Sequence, residues 1–440
     1  MKDKFFYICD QVIKKLNNDE DLIISFSGES SQYIRFNNAK VRQTGCIDDG
    51  NIFINFIKNN RSSKISLSFQ GEESIDLKNI LNHIEKMRNE ISQLPEDPYI
   101  VRPAENNSIC EINNGNLLNK NQVVETILPL IQGVDLTGIW ASGPIYKGSA
   151  NSNGQKNWFE TESFSLDYSL ITKDEKMVKG TFAGTDWNTD KFVKHFNEKK
   201  KQSIIMNQSS KSISPGGYRT CLAPAAVADL ISMFSWGGIS EASIQQGSSA
   251  LCKMRNDDIS LSSKLNLSED FRNGLVPRFN SAGEITEENI ELLSKGKLKN
   301  TLISTRTAKE YKCNSNFAEE GEYLRAPKLY PGNLKENDVL AHLNTGLYLS
   351  NLHYLNWSDR IGGRITGMTR YACFWVENGK IVSPIENMRF DDSIYNFFGK
   401  NLDGITDTVD YIPDVGTYGG RQPGGIIAPS ILIDGFNLTL

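Results

Sequence analysis

Histidine is scarce in this chain. The 440 residues include four histidines: His83, His195, His342 and His353. None is followed by glutamate, and no two lie within six residues of each other. The chain therefore lacks a helical His-Glu-x-x-x-His motif, which would supply two zinc ligands and a base from neighbouring turns. His342 and His353 could meet in space near Asp338 or Asp359, but a lone histidine in a β-rich region is more often a structural residue.

Three other absences exclude further classes of protein. The seven cysteines are scattered and never form a C-x-x-C pair, which argues against a disulfide framework and a thiolate zinc site. The 48 Lys and Arg residues do not outnumber the 53 Asp and Glu residues, so no basic stripe for nucleic acid is indicated. No apolar run is long enough to cross a bilayer, and the charged N-terminus MKDKFFYICDQVIKKL predicts an amphipathic helix, not a signal peptide. We expect a cytoplasmic protein with neither nucleic acid nor a membrane as partner.

Motifs for paired-acid or phosphate chemistry are missing as well. Asp391 and Asp392 are adjacent, and neighbours in a strand face opposite sides, so they cannot easily share a proton. We interpret them as solvated acids of a turn. The glycines of 419–425 lack the strand–loop–helix context and the lysine–serine ending of a phosphate-binding loop.

The spacing of apolar and turn-forming residues predicts an α+β fold, with an α/β N-terminal half of helices packed on sheets and a large, mostly β C-terminal domain. The predicted helices are 5–16, 75–94, 121–128, 190–206 and 224–234. Strands are predicted at 21–27, 33–43 and 51–57, with Asp49-Gly50 as a turn signal, and Pro129 is expected to end or kink the third helix. The predicted domains are an N-terminal α/β domain (1–95), a linker (96–117), a central α/β domain (118–211) and a β-rich C-terminal domain (212–440).

The stretch 351–388 has an unusual composition. It places Trp357, Tyr371 and Trp375 beside arginines, with glycines between them. Arginine and tryptophan are enriched where surfaces are buried on binding, although arginines stacked on aromatics can also serve internal packing. We predict that one set of residues binds a partner or a substrate: Asn351, Tyr354, Asn356, Trp357, Arg360, Arg364 and Arg370.

Several segments carry a resemblance to a known family. The most specific are NLHYLNWSDRIGGRITGMTR, FWVENGKIVSPIENMRFDDS and VGTYGGRQPGGIIAPSILIDG, and weaker ones lie at 33–45, 149–171 and 215–231. In this order they resemble the TldD/PmbA family, which is regarded as a family of metallopeptidases. The NLHYLNWSDR segment resembles the PmbA (TldE) branch more than the TldD branch. The N-terminal and C-terminal predicted domains are then the TldD/PmbA-like domains of the chain.

The resemblance also indicates where a metal site would lie. The catalytic branch carries His-Glu-x-x-x-His and a cysteine ligand near its C-terminus. Alignment on LAPAAVADLI puts Ser232 and Gly237 at the histidine positions and Met233 at the glutamate. Alignment on VGTYGG puts Tyr418 at the cysteine. Serine and tyrosine are poor zinc ligands and methionine is not a base, so we expect no cofactor in this chain and zinc only in a TldD-like partner.

Three functional interpretations follow from the resemblance. The first is a non-catalytic, metal-free subunit of a TldD/TldE-type zinc metalloprotease, which pairs with a TldD-like catalytic subunit, shapes a chamber and binds the backbone of an unfolded peptide substrate. The second is a stand-alone homodimeric peptide-binding protein of the same fold. The third, an active hydrolase with an unconventional site, is the least favoured because no histidine–carboxylate motif is present.

Overall fold

The computed structural model describes residues 1–105, 107–256 and 259–439 of the chain. Strands outnumber helices in it, and three sheets carry helices on their faces. The predicted α+β class is confirmed.

The N-terminal half contains seven strands and four α-helices. In chain order they are α1 (Lys2–Ile13), β1 (Glu20–Asn37), β2 (Lys40–Lys58), β3 (Arg61–Ser68), α2 (Glu73–Glu90), β4 (Cys110–Asn113), α3 (Val123–Leu130), β5 (Asp135–Asn151), β6 (Lys156–Ile171), β7 (Met177–Gly184) and α4 (Thr189–Met206). All seven strands form the first sheet, in the order β3-β2-β1-β5-β6-β4, with β7 also paired to β6.

The predicted helices agree with α1, α2, α3 and α4 to within a few residues. Of the two outcomes expected at Pro129, an end to the helix was wrong, since α3 continues through it to Leu130, and a kink stays a prediction. A proline ring inside a helix clashes with the carbonyl group four residues earlier. Close to the C-terminus of the helix, this clash disrupts little, because the helix ends soon after the proline.

The predicted turn at Asp49-Gly50 was also wrong. Gly50 lies inside β2 and pairs with Gly28 of β1, and the predicted strand 33–43 instead spans the end of β1, the turn and the start of β2. The ring of Phe26 covers both glycines: a Cβ at Gly28 or Gly50 would lie 2.6 or 2.5 Å from its carbon atoms. These glycines make room for an aromatic ring, and the turn lies at Asn38 and Ala39, which both have φ of 50°.

The two faces of β1 have different partners, as the period-two pattern of a strand requires. Leu22, Ile24 and Phe26 are buried in a core with residues of α1 and α2. Ser25 and Ser27 point to the other face, toward the C-terminal half of the chain. One side of the first sheet is therefore an apolar core and the other is rich in hydroxyl groups.

The C-terminal half contains thirteen strands and five short α-helices among the described residues. In chain order they are β8 (Gly216–Leu222), α5 (Pro224–Ser232), α6 (Glu241–Gln245), α7 (Cys252–Arg255), β9 (Leu267–Asp270), β10 (Asn289–Ser294), β11 (Lys297–Leu298), α8 (Thr305–Tyr311), β12 (Pro327–Leu329), α9 (Val339–Leu343), β13 (Gly346–Asp359), β14 (Arg364–Glu377), β15 (Lys380–Pro384), β16 (Arg389–Ser393), β17 (Leu402–Ile405), β18 (Asp410–Pro413), β19 (Gly425–Ala428) and β20 (Ile431–Leu438). Short helices of 3-10 type lie at Ile91–Gln93, Met233–Ser235, Phe271–Asn273 and Glu336–Asp338, and a π-helical turn lies at Asn396–Lys400.

Two sheets organise this half. The second sheet has the order β11-β10-β9-β12-β19-β18. The third has the order β13-β8-β20-β16-β14-β15, with β17 on β20, and β13 also pairs with β14. The pairings β13-β8-β20-β16-β14-β13 return to their start, so five strands form a closed ring around a large apolar core.

The first sheet joins the two sides of the predicted linker. β1, from the predicted N-terminal domain, pairs with β5, from the predicted central domain, between Ile23–Asn151 and Phe36–Gly138. The predicted domain boundaries themselves stay a prediction. No helix among the described residues combines the length and the apolar character needed to span a membrane.

Candidate functional site

The main candidate site lies between the hydroxyl-rich face of the first sheet and the C-terminal half. This main cavity has a volume of about 580 Å³, within the range of small-ligand sites. Its lining includes Ser25, Ser27, Lys147, Ser232, Asn280 and Gln422. A second cavity of about 340 Å³ shares Ser25, Phe53, Asn280 and Ser281 with it.

The end of α5 brings one of the four family metal-site positions to the main cavity. Pro224 begins this helix, where its missing N–H costs nothing. Ser232 ends the helix, is exposed, and lines the cavity, and its hydroxyl donates to Asp229 O at 2.7 Å. Met233 points the other way and is buried in the apolar core.

Gly237 and Tyr418 have surroundings unlike those of metal ligands. Gly237 has a φ of +79°, and a Cβ on it would lie 3.4 Å from Arg360 Nη1. Tyr418 is fully exposed on a turn and does not line the main cavity. None of the four positions fits a zinc ion. The Ser232 hydroxyl bonds its own helix and Met233 lies in the core. Gly237 lies beside a guanidinium, and Tyr418 points outward.

No cluster of three or more His, Cys, Asp or Glu side chains that could hold a metal ion occurs within 1–105, 107–256 and 259–439. His342 and His353 have different neighbours: His342 Nδ1 lies 3.3 Å from Asp338 O, and the His353 ring lies 4.1 Å from the Tyr354 ring. Whether the chain binds zinc stays a prediction.

The segment carrying Tyr418 is fastened to the first sheet by Arg421. This buried guanidinium donates to Ser31 Oγ (3.1 Å), Gly143 O (2.9 Å) and Ser163 Oγ (2.7 Å), and burial lowers its pKa. The Arg421 backbone N–H donates to Glu29 at 3.0 Å. Gln422 follows directly and is thereby placed at the wall of the main cavity.

Lys147 of β5 is the cation that faces this wall. Its Nζ donates to Ser27 Oγ at 2.8 Å and to Gln422 Oε1 at 2.9 Å. Burial lowers the pKa of this amine to about 8, and Glu319 partly opposes that shift. In the described part of the chain, Lys147 has no carboxylate within 4 Å, because all ion pairs of that length involve other residues.

The predicted binding residues of 351–370 all lie on the β13–β14 hairpin, away from the main cavity. Asn351 and Arg370 are direct cross-strand partners, and the Arg370 guanidinium lies 5.1 Å from the Tyr371 ring. Tyr354 has a φ of +51° at an irregularity of the ladder, and its side chain is 76% exposed. A bulky residue with that φ is strained, and such residues concentrate at functional sites.

Other predicted residues of the hairpin have separate environments. Arg364 Nη2 donates to Asp391 Oδ1 at 2.6 Å, and Trp357 packs against the core with a buried Nε1 that has no hydrogen-bond partner among the described residues. Asn356 and Arg360 are exposed. Whether the hairpin binds a partner stays a prediction, and the expected contact with a peptide chamber does not involve the main cavity.

Our interpretation of Asp391 and Asp392 as solvated turn acids was wrong. Both lie in β16, and they face opposite sides as expected. Asp391 pairs with Arg364, whereas Asp392 is buried and accepts from Ser393 N at 2.7 Å and Asn396 Nδ2 at 2.7 Å.

Sequence reasoning missed Lys147, Gln422 and Asp229. Asp229 lies one turn before the end of α5 and accepts from Leu352 N at 3.0 Å. Burial raises its pKa to about 7, against the smaller opposite effect of that hydrogen bond. Gln422 did lie inside a family-like segment, GGRQPGG, whereas nothing around Lys147 distinguishes it from an ordinary strand lysine.

Comparisons with known proteins agree with this geometry. Residues 215–440, just over half of the chain, match the sequence profile described as the PmbA/TldA metallopeptidase C-terminal domain. No curated protein sequence matches the chain.

Solved structures match over the whole length. TldE from Thermococcus kodakarensis has a TM-score of 0.76 at 13% identity, covering 99% of this chain and 100% of that one. Two proteins described as candidate modulators of DNA gyrase are also similar. The one from Thermotoga maritima MSB8 has a TM-score of 0.75 at 16% identity, covering 99% of this chain and 100% of that one. The one from Bacteroides thetaiotaomicron VPI-5482 has a TM-score of 0.75 at 16% identity, covering 100% and 98%. At these identities the likeness establishes the fold.

Proposed function

Since the chain belongs to the PmbA/TldD metallopeptidase family, we propose that it is a non-catalytic, metal-free subunit that binds unfolded peptide and completes a protease with a metal-bearing chain of the same family. It would be the TldE-like member of that pair and would act in the cytoplasm. The metal-bearing chain would supply the ion, the water and the base, and this chain would supply a wall of the peptide site.

One observation carries the proposal. At the end of α5, where the catalytic branch of the family has its histidines and glutamate, Ser232 bonds its own helix and Met233 lies in the core. The third position, Gly237, lies against Arg360. A peptide-bond hydrolase needs a Lewis acid or an activated nucleophile with a base, and these residues offer neither.

The main cavity supports the peptide-binding part of the proposal. Hydroxyls from β1, from the end of α5 and from Ser281 line it, together with the Asn280 amide. A hydroxyl both donates and accepts, so such a lining can pair with the N–H and C=O groups of many peptide sequences.

The test is reconstitution. The chain would be purified alone and together with a family member that carries His-Glu-x-x-x-His, and cleavage of an unstructured peptide would be followed with and without a chelator. We expect co-purification, no cleavage by this chain alone, and chelator-sensitive cleavage by the pair that exceeds that of the catalytic chain alone.

Two outcomes would contradict the proposal. Chelator-sensitive proteolysis by this chain alone, in a preparation shown to be free of contaminating protease, would make it an enzyme. A stable homodimer that binds peptide but ignores the catalytic chain would instead favour the stand-alone binding protein.

A further inference from the structure

Lys147, Ser27 and Gln422 line one wall of the main cavity, and each keeps a hydrogen-bond donor without an acceptor among the described residues. An ammonium group has three N–H donors, and Lys147 uses two of them, on Ser27 Oγ and Gln422 Oε1. Ser27 Oγ accepts that bond, and its own proton has no acceptor among the described residues. Gln422 turns its Oε1 to Lys147, and its Nε2 amide group has no acceptor among the described residues.

The three donors are held in place by the fold. Ser27 and Lys147 are direct partners in the β1–β5 ladder. Gln422 is held by its neighbour Arg421, whose guanidinium is buried against β1, β5 and β6. The donors are therefore positioned before any ligand arrives, which lowers the entropy cost of binding.

The other charges of the cavity have partners, and this leaves Lys147 as the available cation. Glu319 accepts from Ser281 N at 3.1 Å and lies 3.8 Å from Arg325. Arg325 also donates to Phe279 O at 2.9 Å. The Asp414 carboxylate accepts from Gly416 N at 2.8 Å.

We propose that Lys147, Ser27 and Gln422 form a binding site for the carboxylate of a peptide, a specificity that rests on the proposed peptide-binding function. One ammonium and two neutral donors match a monoanion with two oxygen atoms. A phosphate dianion would meet only this single free cation and would lie in a cavity that also contains Glu319 and Asp414. The ligand carboxylate is either the C-terminus of the peptide or an Asp or Glu side chain.

The experiment measures binding of unlabelled, unstructured pentapeptides to the full chain by isothermal titration calorimetry. The first peptide has a free C-terminus, the second is its C-terminal amide, and the third is the amide with a central glutamate. We expect the first or the third to bind at least about tenfold more tightly than the second, since one charge-assisted hydrogen bond is at stake. Tighter binding of the first peptide identifies a C-terminus as the ligand, and tighter binding of the third identifies a side chain.

Variants assign the effect to the site. Lys147→Met should abolish the preference for the charged peptides, and Lys147→Arg should retain that preference. Gln422→Glu should also abolish it, because the new carboxylate would occupy the ammonium group. Lys156→Met is the matched control: this lysine, on the neighbouring strand, pairs with Asp10 at 2.8 Å, and the preference should persist. Thermal unfolding of each variant verifies folding.

The two proposals fail separately. Equal binding of charged and neutral peptides, or a preference that survives Lys147→Met, would overturn the carboxylate site and leave peptide binding intact. Failure to bind any of the three peptides would overturn both the carboxylate site and the peptide-binding role.

Discussion

Arg360 Nη1, at the tip of the β13–β14 hairpin, lies 3.4 Å from the point that a Cβ atom on Gly237 would occupy. The hairpin with the unusual composition therefore contacts one of the positions where the catalytic branch of the family has a metal ligand. Sequence alone predicted a role for each region but gave no reason to expect contact between them.

Gly237→Ala should destabilise the protein by about 1–3 kcal/mol, because φ is +79° and the new Cβ would lie 3.1 Å from Ser243 Oγ. Gly247→Ala is the matched control, since φ is +69° and nothing lies within 4 Å of its Cβ position. Urea unfolding of both variants separates backbone strain from contact. Equal losses of stability in the two variants would show that the residues around Gly237 move aside for the new Cβ without cost.

The isolated chain should bind no stoichiometric zinc, because Ser232, Met233, Gly237 and Tyr418 supply no suitable ligand set. Metal analysis after mild purification measures this. Met233→Glu should unfold or strongly destabilise the chain, since it places a carboxylate in the apolar core, and Ser232→Glu, at an exposed position, is its control. One tightly held zinc ion per chain would contradict the expectation.

The hairpin should take part in association. Arg360→Ala is expected to weaken dimerisation by about 1–3 kcal/mol without lowering the melting temperature, because its side chain is exposed in the isolated chain. Arg364→Ala should weaken it similarly and also lose the Asp391 contact. Trp357→Ala should reduce association and stability more than either arginine variant, because it removes packing against the core. Sedimentation and thermal unfolding are the measurements, and unchanged association with lowered melting would make the hairpin a packing motif.

Stability should depend on pH through Asp229, whose pKa is raised to about 7. Between about pH 4 and 7 the unfolded chain has lost this proton and the folded chain keeps it, so stability falls as pH rises through that range. Asp229→Asn should therefore be about 1–2 kcal/mol more stable than the parent at pH 8 and equal to it at pH 4. Urea unfolding at both pH values measures this, with exposed Asp174→Asn as the surface-charge control. A variant no more stable than its parent at pH 8 would show that the carboxylate is ionised without cost.

Arg421→Met should lower the free energy of unfolding by about 2–4 kcal/mol, because it leaves Gly143 O and two serine hydroxyls in a buried site without their donor. Arg102→Met, which removes an exposed ion pair with Asp21, should cost less than about 1 kcal/mol. Chemical denaturation compares the two. Small and similar losses of stability in both variants would mean that water replaces the Arg421 guanidinium as hydrogen-bond donor.

Periodicity predicted the fold class and most helices because burial of one helix face leaves a direct trace in the sequence, as in α1 and α4. It failed at Gly28 and Gly50, where glycine accommodates the Phe26 ring and not a turn. That contact joins two strands, and no local pattern encodes it.

The candidate site was predicted in part for a related reason. The absence of a zinc motif is a property of the sequence and could be read directly. The three donors at Lys147 come from positions 27, 147 and 422, and their meeting depends on strand pairing and on the Arg421 anchor. Lysine, serine and glutamine at such separations carry no signal of their own.

The Arg421 anchor also bears on how the chain folds. The hydrogen bond from Arg421 N to Glu29 joins residues 392 positions apart, near the two ends of the chain. During synthesis the first sheet is made long before this arginine exists, so its hydroxyl-rich face stays open until residue 421 has been made. Closing so long a loop is slow, because its entropy cost precedes any gain from the contact. The wall that holds Gln422 thus forms after the first sheet, and chains cut short before residue 421 lack it altogether.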